Sequence, residues 1–206
     1  MPKDHGIGAS PKRREDVRFL TGAGNYTDDI NVHGQAYVHF LRSDVAHGTI
    51  NKVDTSAAEG MPGVVRIFTG ADFEGVGGLP CGWEITDKNG DAMKEPGHPV
   101  LCQGKVRHVG DPIAAVVADS LAEARTAAEA IELDISELPA VVDMGKALEA
   151  GATKVHDDLA DNLCYDWQFG SDTETTDAAF KSAAHVTTLE LVNNRLVANP
   201  MEPRVA

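Results

Sequence analysis

Apolar and polar positions alternate with period two in several stretches of this chain. Ala36–Leu41 is rich in aromatic and β-branched residues and predicts a strand. Leu133-Asp-Ile-Ser-Glu-Leu138 alternates cleanly and predicts another, which Pro139 stops. Val64–Thr69 is a third, with Val65, Ile67 and Thr69 on one face against Arg66 and Phe68. Its alternation is imperfect, so partial cover on both faces is expected. Val106–Val109 and Ile113–Ala118 predict strands flanking a Gly110-Asp111-Pro112 turn. Helical signals are shorter. Asp54–Glu59 has the composition of a helix start, and Pro62-Gly63 ends it. Ser120-Leu-Ala-Glu123 is a capping box: the Ser120 hydroxyl can accept from the Glu123 amide, and Glu123 can reach back. The Ala-rich helix it opens runs from Leu121 to about Ile131. Strand, strand, helix and strand in this order predict a small mixed α/β unit.

The flanking segments are less periodic. Residues 1 to about 25 are charged and predict an extended arm, with turns at Gly22–Asn25 and Asp28–Gly34. Residues 74–104 are punctuated by Gly75, Gly77, Gly78, Pro80, Gly90, Pro96 and Pro99. A long structureless stretch inside a domain is usually functional or mobile, so an excursion at a subunit interface is expected here. Beyond Pro139 the reading is a short helix over 143–150, a strand over 162–170 and a helix over 176–184 capped near Thr175 or Thr176. A long strand over 185–198 ends at Asn199-Pro200.

Composition narrows the classes. The chain has 206 residues, enough for one domain or one domain and a fragment. Aromatics make up 5%, so the core must rest on Val, Ile, Leu and Ala. A net charge of -14 argues against nucleic acid and anionic lipid as partners, since both need clustered Lys and Arg. Cys81, Cys102 and Cys164 are scattered and form no C-x-x-C, which argues against an iron–sulfur cluster or a cysteine zinc site. Scattered thiols fit a reducing compartment. Arg13-Arg14 is followed by Glu15, Asp16 and Arg18 where an export signal requires an apolar run. No run approaches the ~18 apolar residues of a membrane span. A soluble, cytoplasmic protein is expected.

Candidate chemistry is sparse. Gly22-Ala-Gly24 lacks the third glycine of a dinucleotide loop, where Thr27 stands, and Gly6-Ile-Gly8 fares no better. There is no G-x-S-x-G elbow. The histidines His5, His33, His39, His47, His98, His108, His156 and His185 include no pair at helical metal spacing. His39 beside Tyr37 reads as a packed or hydrogen-bonded imidazole. Asp28-Asp29 and Asp157-Asp158 read as turn formers whose carboxylates bond local backbone. Cys81 has no neighbouring cation to activate it. The residues give no self-sufficient active site.

One resemblance is specific. Lys12-Arg-Arg-Glu-Asp-Val-Arg-Phe-Leu-Thr-Gly-Ala-Gly-Asn-Tyr-Thr-Asp-Asp-Ile30 resembles the N-terminus of the large, molybdenum-cofactor-bearing subunit of molybdenum hydroxylases. This is the xanthine dehydrogenase, aldehyde oxidase and aerobic carbon monoxide dehydrogenase family, and the similarity is greatest to the carbon monoxide dehydrogenase-like large subunits. It continues through Arg42-Ser43, Ala46-His47, Val53–Ser56, Pro62-Gly-Val64 and Thr69–Asp72. It goes on in Lys105-Val-Arg-His-Val-Gly-Asp-Pro-Ile-Ala114, Leu138–Asp143 and the Met-Glu-Pro-Arg segment 201–204. Asp44, Gly48, Asp111 and Asp134-Ile-Ser136 depart from the usual pattern, and none removes a known catalytic group.

The resemblance implies an α+β chain: an arm over 1–20, an α/β hammerhead domain over 21–138, and over 139–206 a connection and the incomplete start of a molybdopterin-binding domain. The full large subunit is expected to bind molybdopterin cytosine dinucleotide. Partner subunits are expected to carry FAD and [2Fe–2S] clusters, in a dimer of heterotrimers. The base, a glutamate, lies downstream of this chain, so no catalytic, cofactor-binding or metal residue is assigned. Glu202 and Arg204 are expected to be structural. The implied role is a structural portion of a molybdenum hydroxylase, inactive alone; the alternative is an independent binding or assembly module on the same fold. Carbon monoxide, an aldehyde and an N-heterocycle remain open as substrates. A strand from His185 without sheet partners predicts self-association or a disordered C-terminal tail.

Overall fold

The computed structural model describes residues 6–193, 196–197, 199–200 and 202. Two compact units divide them, one within 1–35 and 187–206 and the other Ala36–Val186.

The larger unit holds two three-stranded antiparallel sheets. Its elements are β1 (Tyr37–Arg42), β2 (Gly48–Asp54), α2 (Ser56–Glu59), β3 (Val64–Thr69), β4 (Lys105–Val106), β5 (Pro112–Ala118), α3 (Leu121–Glu129), β6 (Glu132–Glu137) and α4 (Thr173–Ser182). One sheet runs β1-β5-β3 and the other β4-β2-β6. Ala124, Ala127 and Ala128 recur at helical spacing and lay α3 against Ala114, Val116 and Ala118 of β5. Small side chains on both partners let helix and strand approach closely. A second cluster gathers Cys102, Val106 and Ile113. Val53 and Leu133 touch both clusters and join them.

Several expected elements form, and others are corrected. The Ser120 hydroxyl accepts from the Glu123 amide at 3.2 Å and donates to Glu123 Oε2 at 2.6 Å. Val65 does not face inward with Ile67: Val64 pairs with Ala118 and Arg66 with Val117, which leaves Val65 bulged and 62% exposed. The 106–109 strand shrinks to β4 because the Arg107 amide donates to Asp111 Oδ2 at 2.8 Å instead of to a strand. β4 and β5 also lie in different sheets rather than flanking a hairpin turn. β2, unread in the sequence, is the centre of the second sheet.

Beyond Pro139 the 143–150 helix is reduced to a 3-10 turn at Lys146–Leu148. Residues 162–170 form no strand; the one acid among them, Asp166, engages Lys88. α4 opens earlier than expected, because the Asp172 carboxylate accepts from the Thr175 amide at 2.7 Å. The described residues of 185–198 form no strand, and positions 194, 195 and 198 lie outside the described residues.

In the smaller unit the expected extended arm contains a short helix, α1 (Asp16–Leu20). It buries no side chain, which is why hydrophobic periodicity does not reveal it. Phe19 packs on Tyr26 with ring centroids 5.6 Å apart. A Cβ at Gly24 would stand 2.8 Å from the Phe19 ring. A 3-10 turn follows at Thr27–Asp29. Among the described residues no helix is long and apolar enough to cross a membrane.

Candidate functional site

The motif residues of the larger unit converge where β1 ends and β5 begins. The Ser43 amide donates to Asp111 O at 2.9 Å, and the Gly110 amide returns a bond to Ser43 O at 2.7 Å. Arg42 Nη1 reaches Gly110 O at 2.8 Å. Ser43 Oγ closes a turn on itself, donating to Val45 O at 2.7 Å and accepting from the Val45 amide at 3.0 Å. The Cys102 amide donates to Pro112 O at 2.8 Å. Arg-Ser, Val-Arg-His and Gly-Asp-Pro are thereby stitched together through main-chain atoms.

His47 sits in the row beside them and is 5% exposed. Its Nδ1 lies 2.8 Å from Pro139 O. A carbonyl can only accept, so Nδ1 carries the hydrogen. Nε2 is buried without a partner, as is Arg107 Nε. The antiparallel pairing of Gly48 with Val106 places His47 opposite Arg107, one step beyond the ladder. Burial, then the neighbouring Asp111 carboxylate, pushes the Cys102 thiol up to about 12, so it stays protonated. The site therefore offers an inert thiol and an imidazole tied to a carbonyl, not a nucleophile with its base.

Two surface clefts hold no better set. One of about 390 Å³ is lined by Ile50, Val53, Gly70, Cys102 and Gln103, with Glu74 at its rim. Gln103 there donates to Phe73 O at 3.1 Å. The other, of about 500 Å³, includes Glu59, Arg66 and Asp72. Thr55 Oγ1 donates to Glu59 Oε1 at 2.7 Å, and the Thr69 amide to Asp72 Oδ2 at 2.7 Å. That amide is the main cause holding Asp72 below the usual carboxylate range. These carboxylates fix caps and turns. Among the described residues no group of three His, Cys, Asp or Glu is placed to hold a metal.

The remaining residues singled out in the sequence are scattered. Asp29 forms its turn, accepting from the Tyr26 amide at 2.8 Å. Asp157 and Asp158 also lie in a turn, but the Asp157 carboxylate, instead of bonding local backbone, meets Lys105 Nζ at 2.5 Å, a partner distant in sequence and therefore unreadable from local pattern. Cys81 and Cys164 are exposed, and their thiols donate to Trp83 O at 3.2 Å and Lys94 O at 3.0 Å. Glu202 accepts from the Thr27 amide at 3.0 Å, a structural contact within the smaller unit. Arg204 lies outside the described residues.

The known proteins that resemble this chain agree with the motif series. Residues 21–139 match the family described as aldehyde oxidase and xanthine dehydrogenase, a/b hammerhead domain. The nicotine 6-hydroxylase large subunit of Paenarthrobacter nicotinovorans is 38% identical over 201 residues, 96% of this chain and 23% of that protein. The carbon monoxide dehydrogenase large chain of Afipia carboxidovorans is 34% identical over 213 residues, 97% of this chain and 25% of that protein. A reconstituted CO dehydrogenase structure from Oligotropha carboxidovorans superposes with a TM-score of 0.65 at 34% identity, covering 87% of this chain and 23% of that one. This chain spans about a quarter of the length of these relatives. It belongs to the aldehyde oxidase and xanthine dehydrogenase family and carries that family's α/β hammerhead domain.

Proposed function

We propose that this chain is the N-terminal structural portion of a molybdenum hydroxylase large subunit and turns over no substrate alone. In the whole enzyme the reaction is oxidative hydroxylation of carbon monoxide, an aldehyde or an N-heterocycle. Molybdopterin cytosine dinucleotide belongs to the rest of the large subunit. FAD and [2Fe–2S] clusters belong to two partner subunits, in a cytoplasmic dimer of heterotrimers. Within this chain residues 1–20 are the arm, 21–138 the hammerhead domain and 139–206 the connection that leads into the cofactor domain.

One observation carries the reading: the motif side chains face backbone. Arg42, Ser43, His47 and Asp111 each bond main-chain atoms of their own or a neighbouring segment. A pterin dinucleotide needs convergent donors left open to it. The donors at this node are turned inward, so these residues do not fit a cofactor cradle, and no catalytic step is assigned to them.

A native pull-down from source cells tests the proposal, with intact masses of the companions and molybdenum content as readouts. Molybdenum together with flavin and iron–sulfur companions supports it. Recovery of the chain with neither metal nor companions overturns it in favour of an independent binding or assembly module on the hammerhead fold.

A further inference from the structure

Three lysines at 88, 94 and 105 meet three aspartates in reverse chain order. Lys88 Nζ lies 2.5 Å from Asp166 Oδ2, Lys94 Nζ 2.8 Å from Asp161 Oδ1, and Lys105 Nζ 2.5 Å from Asp157 Oδ2. Main-chain bonds run alongside. The Lys88 amide donates to Asp166 O at 2.8 Å and the Lys94 amide to Cys164 O at 2.9 Å. Lys88 and Lys94 thereby zip the Gly- and Pro-rich excursion to a second irregular segment far along the chain, and Lys105, on β4, ties that segment to the core sheet.

The excursion is braced within itself, and the second segment, the strap, both within itself and to the residues just before it. On the excursion, Met93 donates to Ile85 O at 3.0 Å and Leu79 to His98 O at 2.8 Å. On the strap, the Asn162 amide group donates to Ala147 O and Thr153 O, both at 2.9 Å, and its oxygen accepts from the Val155 amide at 2.9 Å. Neither 79–98 nor 154–166 contributes a residue to the two buried clusters. Polar contacts and ion pairs hold these segments, and apolar burial holds the sheets. Such contrasts in local stability divide a fold into separately opening units.

We propose that residues 79–98 and 154–166 form one ion-paired flap, latched to β4 by Lys105–Asp157, which opens as a single body while the two-sheet core stays closed. Charges around the latch fit this arrangement. Lys105 first, then Arg107 and His47, keep the Asp157 carboxylate below its ordinary range. Burial first, then Arg107, keeps the His156 imidazole below its own. Through Lys105, Asp157 ties the strap to β4. Raising salt from about 0.1 M to about 1 M shortens the screening length from about 10 Å to about 3 Å, which weakens exposed pairs far more than a dry core.

Hydrogen–deuterium exchange of the full chain at those two salt concentrations tests the flap. Peptides from 79–98 and 154–166 accelerate together, by at least about threefold for three weakened pairs, while β5 and α3 keep their rates. Acceleration of only one segment, of neither, or of flap and core alike overturns the proposal. Lys105→Asp at low salt reproduces the joint acceleration, and adding Asp157→Lys reverses it. If Lys105→Asp fails to fold, Lys105→Gln takes its place. A variant that loosens the excursion and leaves the strap protected also overturns the proposal.

Discussion

Thr27 and Glu202 meet across 175 positions of sequence: the Thr27 amide donates to Glu202 Oε1 at 3.0 Å. Thr27 opens the 3-10 turn Thr27–Asp29, so a distant carboxylate caps a local helix start. Two segments carrying the family resemblance, the Gly-Asn-Tyr-Thr turn and the Met-Glu-Pro-Arg segment, are tied by this bond. Glu202→Ala is expected to speed exchange of the Thr27 amide by about two- to tenfold, the worth of one hydrogen bond. Glu202→Gln keeps an acceptor and should lie near wild type. Amide exchange followed by NMR reads both; equal rates in the alanine variant would remove the cap from the account.

Gly70 marks the closest backbone approach in the larger unit. A Cβ there would stand 2.0 Å from Cys102 O, and that atom is main chain held by the second core cluster. Gly70→Ala therefore has to displace backbone, and a loss of about 2–3 kcal/mol is expected in urea unfolding. Gly60 has nothing within 4 Å of its Cβ direction and no positive φ. Gly60→Ala is the control and should change stability by less than about 0.5 kcal/mol. Similar midpoints for the two variants would show that the Cys102 segment yields.

The helix cap on α3 is a smaller effect. Ser120→Ala removes the acceptor of the Glu123 amide and frees the Glu123 carboxylate. A loss of about 1 kcal/mol is expected in the same unfolding assay, with Ser120→Asp recovering most of it.

How much of this was legible in sequence follows from what each element depends on. β1, β5, β6 and α3 carry their own signal, as alternation or as a capping box beside alanines at helical spacing. β2 was missed because Gly48-Thr-Ile-Asn-Lys-Val-Asp54 interleaves too many polar residues; its place comes from pairing on both sides with β4 and β6. β4 was overread because one carboxylate, Asp111, takes the amide that a longer ladder would need. The family resemblance located the motif residues, but not their partners. That Arg42 reaches Gly110 and His47 reaches Pro139 is a product of tertiary structure, and nothing local encodes it. The three Lys–Asp pairs are legible in no sequence pattern for the same reason.

The three thiols should separate by reactivity. Cys102 is buried and its thiol is pushed up to about 12, whereas Cys81 and Cys164 are exposed. Only the thiolate is a competent nucleophile. Brief treatment with a maleimide near pH 7.5 is expected to add two labels to the folded chain and a third only after denaturation. Intact mass counts the labels, and peptide mapping identifies Cys102 as the late one. Early labelling of Cys102 would mean that the segment joining Gly70 to Pro112 opens readily.

Acid should unfold the chain in two stages, and the signs can be worked out. Burial, then Arg107, holds His156 below its usual 6.5. An unfolded chain takes up this proton near pH 6.5 while the folded one resists, so stability declines as pH falls past that point. His156→Gln should flatten this first limb. The second limb comes from carboxylates. Lys105 holds Asp157 down, Lys94 holds Asp161 down, and the Asp91 and Asn89 amides hold Asp87 down. Their folded values lie below the unfolded ~3.9. The stability they supply is therefore present above about pH 4 and lost as pH falls through the folded values. Urea midpoints measured from pH 8 to pH 3 check both limbs. A midpoint that rises on acidification from pH 7 to pH 5.5 would reverse the sign assigned to His156.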